Sequence, residues 1–333
     1  MVCIKATKYF FVYALSLPFY QLHHLACGML QCSGNMKIPG IFNIVMCCLD
    51  VIFNAIFIFP TTTYHIFGLN ITIFGFGLEV LGASIGTALS VVVVSLILLY
   101  FVLVKSDVLR YRKEEKIQIN KKDVQKAIKI ATPVAFEQSV LCAAYIMATK
   151  IVAPLGTIAI AANSFAVTAE SLCYMPGYGI GNAATTIIGQ SIGAKRDDLT
   201  KKLGWITTFL GMIMMSISGI LLYILAPFMM SLLTKDLMIQ ELGSQVLRIV
   251  AFAEPFYAAN IVASGVFRGA QDTFVPSVLN LISMWGVRIP LSLLLAPKYG
   301  LHGVWIAMTI ELIVRGLLFI TRMATNSKWC QNK

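Results

Sequence analysis

Residues Pro18–Pro39 read PFYQLHHLACGMLQCSGNMKIP, and residues Pro255–Pro276 read PFYAANIVASGVFRGAQDTFVP. With an offset of 237 residues the two passages align without a gap from 18–60 to 255–297. Pro18, Phe19, Tyr20, Ala26, Gly28, Pro39, Asn43, Ile52 and Pro60 meet identical partners at Pro255, Phe256, Tyr257, Ala263, Gly265, Pro276, Asn280, Ile289 and Pro297. Unrelated apolar helices match by chance at Leu, Ile and Val, but not at three Pro, a Gly and an Asn. After a longer connection in the first copy, GASIGTALS from Gly82 resembles GVWIAMTIE from Gly303. Three successive segments therefore occur twice in the same order.

Those segments are apolar. The 333-residue chain is 58% hydrophobic and 12% charged, against about 25% charged for a soluble domain. Runs of about 20 apolar residues recur, each long enough to cross a hydrocarbon layer as a helix. The fold class expected is an all-α integral membrane protein. Nine spanning helices are predicted at 8–31, 39–60, 78–104, 126–152, 158–190, 205–233, 246–268, 276–297 and 301–323. The segment 158–190 is long for one pass and is expected to tilt or to extend past the membrane.

The net charge of +11 does not point to nucleic acid. Nine of the 26 basic residues fall between Lys105 and Lys129, and four more are Lys195, Arg196, Lys201 and Lys202. Basic residues in short segments between apolar runs mark the cytoplasmic side. The loop 61–77 has no Lys or Arg and is expected outside. The eight Cys form no CxxC pair and no metal-ligand spacing, so neither a disulfide framework nor a metal site is implied. The N-terminal run contains Pro18, Gln21, His23 and His24 and does not read as a signal peptide.

The charged stretch 105–125 divides the chain. The expected organisation is a partial N-terminal bundle of three helices at 1–104, a basic cytoplasmic linker at 105–125, a six-helix bundle at 126–323 and a cytoplasmic tail at 324–333. Six spans separate the two copies, so both have the same orientation, as in a parallel repeat about the membrane normal. Equal halves would need three more helices before the first copy. The expectation is a chain that lacks them.

Several segments carry a family resemblance: ATPVAFEQS (131–139), AESLCYMPGYGIGNAATTIIGQSIGAKRDD (169–198), SGVFRGAQDTFVP (264–276), ISMWGVRIPL (282–291) and GLHGVWIAM (300–308). The sequence resembles the multidrug and toxic compound extrusion (MATE) transporters. The resemblance implies two six-helix bundles, of which this chain looks like helices four to twelve. The first helix of many members holds an acidic residue used for ion coupling, a role that no residue here can take.

Charges at bilayer depth cost about 2.5–3.5 kcal/mol on insertion scales, so the polar residues inside spans are the candidates. Glu137 follows Pro133 by one helical turn. The resemblance points to an acidic residue in this region that binds the cation in sodium-coupled members, and Na⁺ at Glu137 is the only metal expected. The alternative for Glu137 is a structural carboxyl paired to a neighbouring helix. Glu170 and Asn163 are seven residues apart and share a helix face. Pro176 and Gly177 follow, where a break could expose carbonyls; an interhelical packing bond is the alternative. Glu254, just before Pro255, is placed near the outer end of its helix, where it could join Glu137 or snorkel to water. Tyr257 and Asn260 lie further in and could line the same cavity. Asn43, Asp50 and Asn54 make a polar stripe on the second helix.

Arg288 lies mid-span with no carboxylate within four residues and reads as a structural lock. Glu311 and Arg315 are an i, i+4 pair that neutralises itself. The glycines of GYGIG (177–181), with Gly189 and Gly193, read as close helix contacts rather than a dinucleotide fingerprint, since no strand precedes them. The adjacent His23 and His24 face different ways and suggest no metal site. Met212, Met214 and Met215 read as filler.

The function expected is secondary-active efflux of organic cations in exchange for Na⁺ or H⁺, with no other cofactor. A Glu shared between ion and cargo would provide the competition that exchange needs. The expected setting is a monomer in the bilayer of a bacterial cytoplasmic membrane, with small organic cations and no nucleic acid as partners. Two other readings stand beside it: a lipid-linked oligosaccharide flippase, disfavoured because embedded acids outnumber embedded bases, and a truncated inactive fragment. No nucleophile–base constellation suggests an enzyme.

Overall fold

A computed structural model of the chain describes residues 2–66, 69–106, 109–110 and 120–325. Most of the expected linker at 105–125, and the expected tail from residue 326 onward, lie outside the described residues.

Two compact units are present, Met1–Ile117 and Gln118–Lys333. The first contains α1 (Val2–Cys32), α2 (Lys37–Ile58) and α3 (Glu79–Tyr100), which continues into a π turn at Phe101–Lys105. The second contains α4 (Lys121–Val152), α5 (Thr157–Gly193), α6 (Asp197–Leu233), α7 (Leu237–Val250), α8 (Glu254–Gly269), α9 (Phe274–Ser283) and α10 (Ile289–Thr325). A 3₁₀ turn at Ala251–Ala253 joins α7 to α8, and a π turn at Met284–Arg288 joins α9 to α10.

Among the described residues, seven helical stretches are long and apolar enough to cross a membrane. The last of them, Phe274–Thr325, has 52 residues, about twice the length of one pass. It is broken at Gly300, whose φ of 59° and ψ of −137° only glycine adopts readily. α1 is long enough, but Gln21, His23 and His24 dilute its apolar run. The chain is a multi-pass helical membrane protein.

Lipid-facing helices invert the usual pattern. On α6 the buried stripe is Gly204, Thr208, Gly211, Met215, Gly219, Leu222, Ala226 and Met230, while Ile217, Ile220, Ile224 and Phe228 point outward. Small inner residues let backbones approach, which is how helices associate where solvent gives no hydrophobic drive. One such close approach joins α5 to α8. A methyl group on Gly265 would sit 2.3 Å from the Gly181 carbonyl oxygen. Thr185 Oγ1 donates to the Gly265 carbonyl at 2.9 Å. Gly177 and Gly181 thus act as helix contacts, whereas Gly179 and Gly193 border open space.

The expected loop at 61–77 is a hairpin within an otherwise all-α membrane fold. β1 (Pro60–Ile66) pairs antiparallel with β2 (Leu69–Phe76), with Thr62 opposite Ile73 and Ile66 opposite Leu69. The runs TTTYHI and LNITIF are rich in β-branched and aromatic residues, which suit a pleated ribbon. The register shifts between Pro60 and Thr62, where proline has no N–H to give.

The internal repeat extends to individual hydrogen bonds. At the end of α1, Ser33 N, Gly34 N and Asn35 N donate to the carbonyls of Met29, Gln31 and Leu30. At the end of α8, Ala270 N, Gln271 N and Asp272 N donate to those of Val266, Arg268 and Phe267, each 237 residues on. The same turn closes α5 through Ala194, Lys195 and Arg196. Its pivot has positive φ each time: 89° at Gly34, 60° at Gln271 and 57° at Lys195. These are Schellman-type helix ends.

Two further expectations change. α5 runs unbroken through Pro176 to Gly193, so the expected backbone break is absent. Membrane helices tolerate proline without breaking. The seventh span begins at Leu237, nine residues before the expected 246, because Asp236 caps it by accepting from Met238 N and Ile239 N.

Candidate functional site

Three polar groupings lie inside the units. The first is centred on Glu137 of α4. Its Oε1 accepts from Asn280 Nδ2 and its Oε2 from Ser277 Oγ, both at 2.5 Å. Asn280 Oδ1 in turn accepts from Asn260 Nδ2 at 3.0 Å. Ser277 and Asn280 sit on α9 and Asn260 on α8, so three helices converge. A recess of about 10 Å³ opens here beside Ser264, Thr273 and Arg268, room for one water or a bare ion. Carboxylate, hydroxyl and amide oxygens are hard donors suited to a small monovalent cation or a proton. Among the described residues, no three His, Cys, Asp or Glu side chains gather as a multivalent metal site would need.

The second grouping is a cavity of about 460 Å³ among α4, α5, α8, the π turn and α10. Glu170 and Asn163 both line it, as their seven-residue spacing predicts. Asn163 Oδ1 accepts from Trp305 Nε1 at 3.0 Å. Tyr145, Tyr174 and Tyr257 add aromatic wall, and Tyr174 meets Tyr257 edge-on with ring centroids 5.6 Å apart. Arg288 and Arg315 also line the cavity. Arg315 Nε lies 2.9 Å from Glu311 Oε1, so this pair neutralises itself as expected. Ser283 Oγ donates to the same Oε1 at 2.7 Å. Arg288 has no carboxylate partner; its Nη2 reaches the Met308 sulfur at 3.1 Å. Its partner is thus a sulfur, a weak acceptor.

Glu254 is a correction. It is fully buried at the start of α8, in the middle of the long stretch Leu237–Gly269, and cannot snorkel to water. It lies beside Cys173 and feels the charge of Glu170, and neither of its oxygens accepts a hydrogen bond of normal geometry. It does not join Glu137, which bonds Ser277 and Asn280 instead. Tyr257 and Asn260 part company too: Tyr257 lines the large cavity, Asn260 the Glu137 cluster. Glu137 and Glu170 line different recesses.

The third grouping is in the first unit. His23 Nε2 and Asn43 Oδ1 lie 2.8 Å apart. Shifted by 237, they are Asn260 and Asn280, so the hydrogen bond of the second unit is reproduced in the first. Sequence reading set His23 aside because it and adjacent His24 face different ways and suggest no metal site; the offset of 237 alone would have found its partner. Ser90 Oγ contacts Asp50 Oδ1 at 3.5 Å, and Asn54 Oδ1 is buried against Gly86. The stripe of Asn43 and Asp50 therefore divides between α1 and α3. Ser277, Trp305 and Tyr145 were also missed, being ordinary residues in apolar helices.

The MatE family model matches residues 133–294, which span the Glu137 cluster and its partners on α8 and α9. Over those residues the chain matches the MATE family. Probable multidrug resistance protein NorM of Thermotoga maritima is 28% identical over 258 residues, covering 74% of this chain and 53% of that protein. NorM of Mesorhizobium japonicum is 31% identical over 201 residues, covering 58% and 42%. The chain thus spans about half the length of the curated relatives it matches. Among solved structures, an outward-facing multidrug resistance MATE transporter of the MOP superfamily gives a TM-score of 0.83 at 17% identity, covering 97% of this chain and 70% of that one. A MOP superfamily transporter from Pyrococcus furiosus, described as having reverse polarity of its binding pocket, gives 0.85 at 17%, covering 98% and 70%. These likenesses establish the MATE fold. MATE proteins are transporters and not enzymes.

Proposed function

We propose that the chain takes part in antiport, moving organic cations out of the cell in exchange for Na⁺ or H⁺ across a bacterial cytoplasmic membrane. The observation that carries this is the Glu137 cluster, a carboxylate held inside an apolar bundle by Ser277 and Asn280. A proton arriving there neutralises Glu137. Na⁺ arriving there recruits the oxygens of Ser277 and the Asn280 amide. Either event breaks at least one bond from α9 to α4.

The geometry supports a link from that event to the cargo cavity. α9 carries Ser277 and Asn280, then passes through the π turn to Arg288, which lines the cavity. Asn280, Met284 and Arg288 follow at four-residue intervals. Single-turn π segments mark places where a helix shifts register. Release of Asn280 from Glu137 therefore moves Arg288 relative to Glu170, and the ion and the cargo influence each other without sharing a ligand.

Reconstitution tests the reading. Proteoliposomes holding the purified chain should move ethidium against its own gradient when a Na⁺ or pH gradient is imposed. Dye distribution indifferent to both gradients overturns it.

A further inference from the structure

The recess beside Glu137 carries a second charge on its wall. Arg268 borders the same small space as Glu137, Ser277 and Asn280. It ends a stripe of α8, Asn260, Ser264 and Arg268, whose four-residue spacing sets all three on one helix face. Asn260 bonds Asn280 at one end of the stripe, Ser264 lines the recess, and Arg268 stands exposed in the last turn of the helix. Among the described residues, its guanidinium makes no ion pair and no hydrogen bond. Asp272, four residues on, pairs with Arg322 instead. Glu137 also has no ion-pair partner among the described residues; its oxygens take only neutral donors. The helix end does not demand an arginine. Shifted by 237, the stripe is His23, Cys27 and Gln31, and α1 closes on Gln31 with the same turn. The arginine stands in the copy that borders Glu137.

We propose that Arg268 is a built-in substitute for the coupling ion. When Na⁺ or a proton has left Glu137, the guanidinium turns from the rim onto the carboxylate, and the next ion must displace it. The inference rests on the reading of Glu137 as the coupling site. An ionised carboxyl oxygen has room for about two hydrogen bonds, and each oxygen of Glu137 takes one, so the arginine can add to Ser277 and Asn280 without evicting them. Guanidinium presents a planar fork that matches a carboxylate, and such charge-assisted bonds are the strong ones. It keeps its charge and is tethered to α8, so it can neutralise the site but cannot be carried across in place of the ion. A bare carboxylate inside an apolar bundle is costly and would hold its ion tightly. Arg268 offsets that cost and so promotes release. It acts through Glu137 and is a positioning residue. Lys195, Arg196, Lys201 and Lys202 follow the end of α5, which lies against the end of α8 at Gly189 and Gly269. Basic residues of this kind mark the cytoplasmic side, where an inward-moving ion is released.

Two measurements test it. In proteoliposomes, the initial rate of ethidium efflux is followed against the concentration of the driving ion, first Na⁺ at fixed pH and then protons without Na⁺. Arg268→Gln installs the residue that the first unit carries at Gln31. It should lower both the half-saturating ion concentration and the maximal rate about tenfold, the scale of one charge-assisted bond. Arg268→Lys should fall between this variant and wild type, and it carries the same test should Arg268→Gln fail to fold. A merely structural arginine would lower the rate alone, so a half-saturating concentration that stays the same or rises overturns the inference. The second measurement needs no transport. Melting temperatures of Glu137→Gln, Arg268→Gln and the double variant are compared in alkaline buffer free of Na⁺, where no ion occupies the site. The losses should be non-additive by about 2 °C or more; additive losses overturn the inference. Additive melting with ion-driven efflux intact removes the pair and leaves antiport standing. Non-additive melting without any gradient-driven efflux does the reverse, and failure of both removes both.

Discussion

Glu137→Gln abolishes ion-driven efflux while leaving the protein folded. The amide has the shape of the carboxylate, and its remaining oxygen still accepts from Ser277 Oγ or Asn280 Nδ2, now at 2.5 Å each. One of those two bonds must be lost or turned round, because an amide carries one acceptor where the carboxylate had two. The cost to the fold is therefore about that of one hydrogen bond, roughly 1 kcal/mol. The cost to coupling is total. A carboxamide neither titrates nor supplies charge to Na⁺, so the variant fails whichever ion drives exchange. Gradient-driven dye efflux from proteoliposomes should fall at least about tenfold, the minimum for loss of a charged ligand. Efflux within twofold of wild type, from equally folded protein, would remove Glu137 from the mechanism.

Glu311→Ala produces the largest loss of stability. Glu311 is fully buried and answers both Arg315 and Ser283. Removing it leaves the Arg315 guanidinium 8% exposed, over the Tyr257 ring, with no countercharge. Breaking one side of a buried pair costs about 3–5 kcal/mol. The apparent melting temperature of purified protein should drop on the order of 10 °C. The double variant Glu311→Ala, Arg315→Met should recover most of the loss, since no orphan charge remains. A single variant that melts within a degree or two of wild type would show that Arg315 finds another partner.

Much of this molecule was legible in its letters. The Pro, Gly and Asn identities at an offset of 237 announced a repeat, and the repeated turns at Gly34 and Gln271 carry it to matching hydrogen bonds. What identity scoring misses is equivalence of role: His23 and Asn260 differ in chemistry but make the same bond. Hydropathy misled at Glu254. The residues LMIQELGSQ from Leu237 are too polar for a window to count, yet a capped helix starts there and carries Glu254 to full burial. Pro176 was read as a break, but a membrane helix accommodates proline when its neighbours hold the backbone. The hairpin was hidden by the expectation of a loop, although its β-branched runs were visible. Counting embedded acids against bases over the whole chain favoured cationic cargo; only the structure assigns two arginines and one unpaired glutamate to the same cavity wall.

The account stands on a linkage between the carboxylate on α4 and a ligand held by α5 and the π turn. Titrating dye binding to the purified chain at constant ionic strength, while Na⁺ is exchanged for a large organic cation and pH is varied, measures that linkage. Apparent affinity should change with one of the two ions in wild type and become indifferent to it in Glu137→Gln. An affinity that stays constant across both series in the wild-type protein would contradict the coupling and with it the role given to the Glu137 cluster.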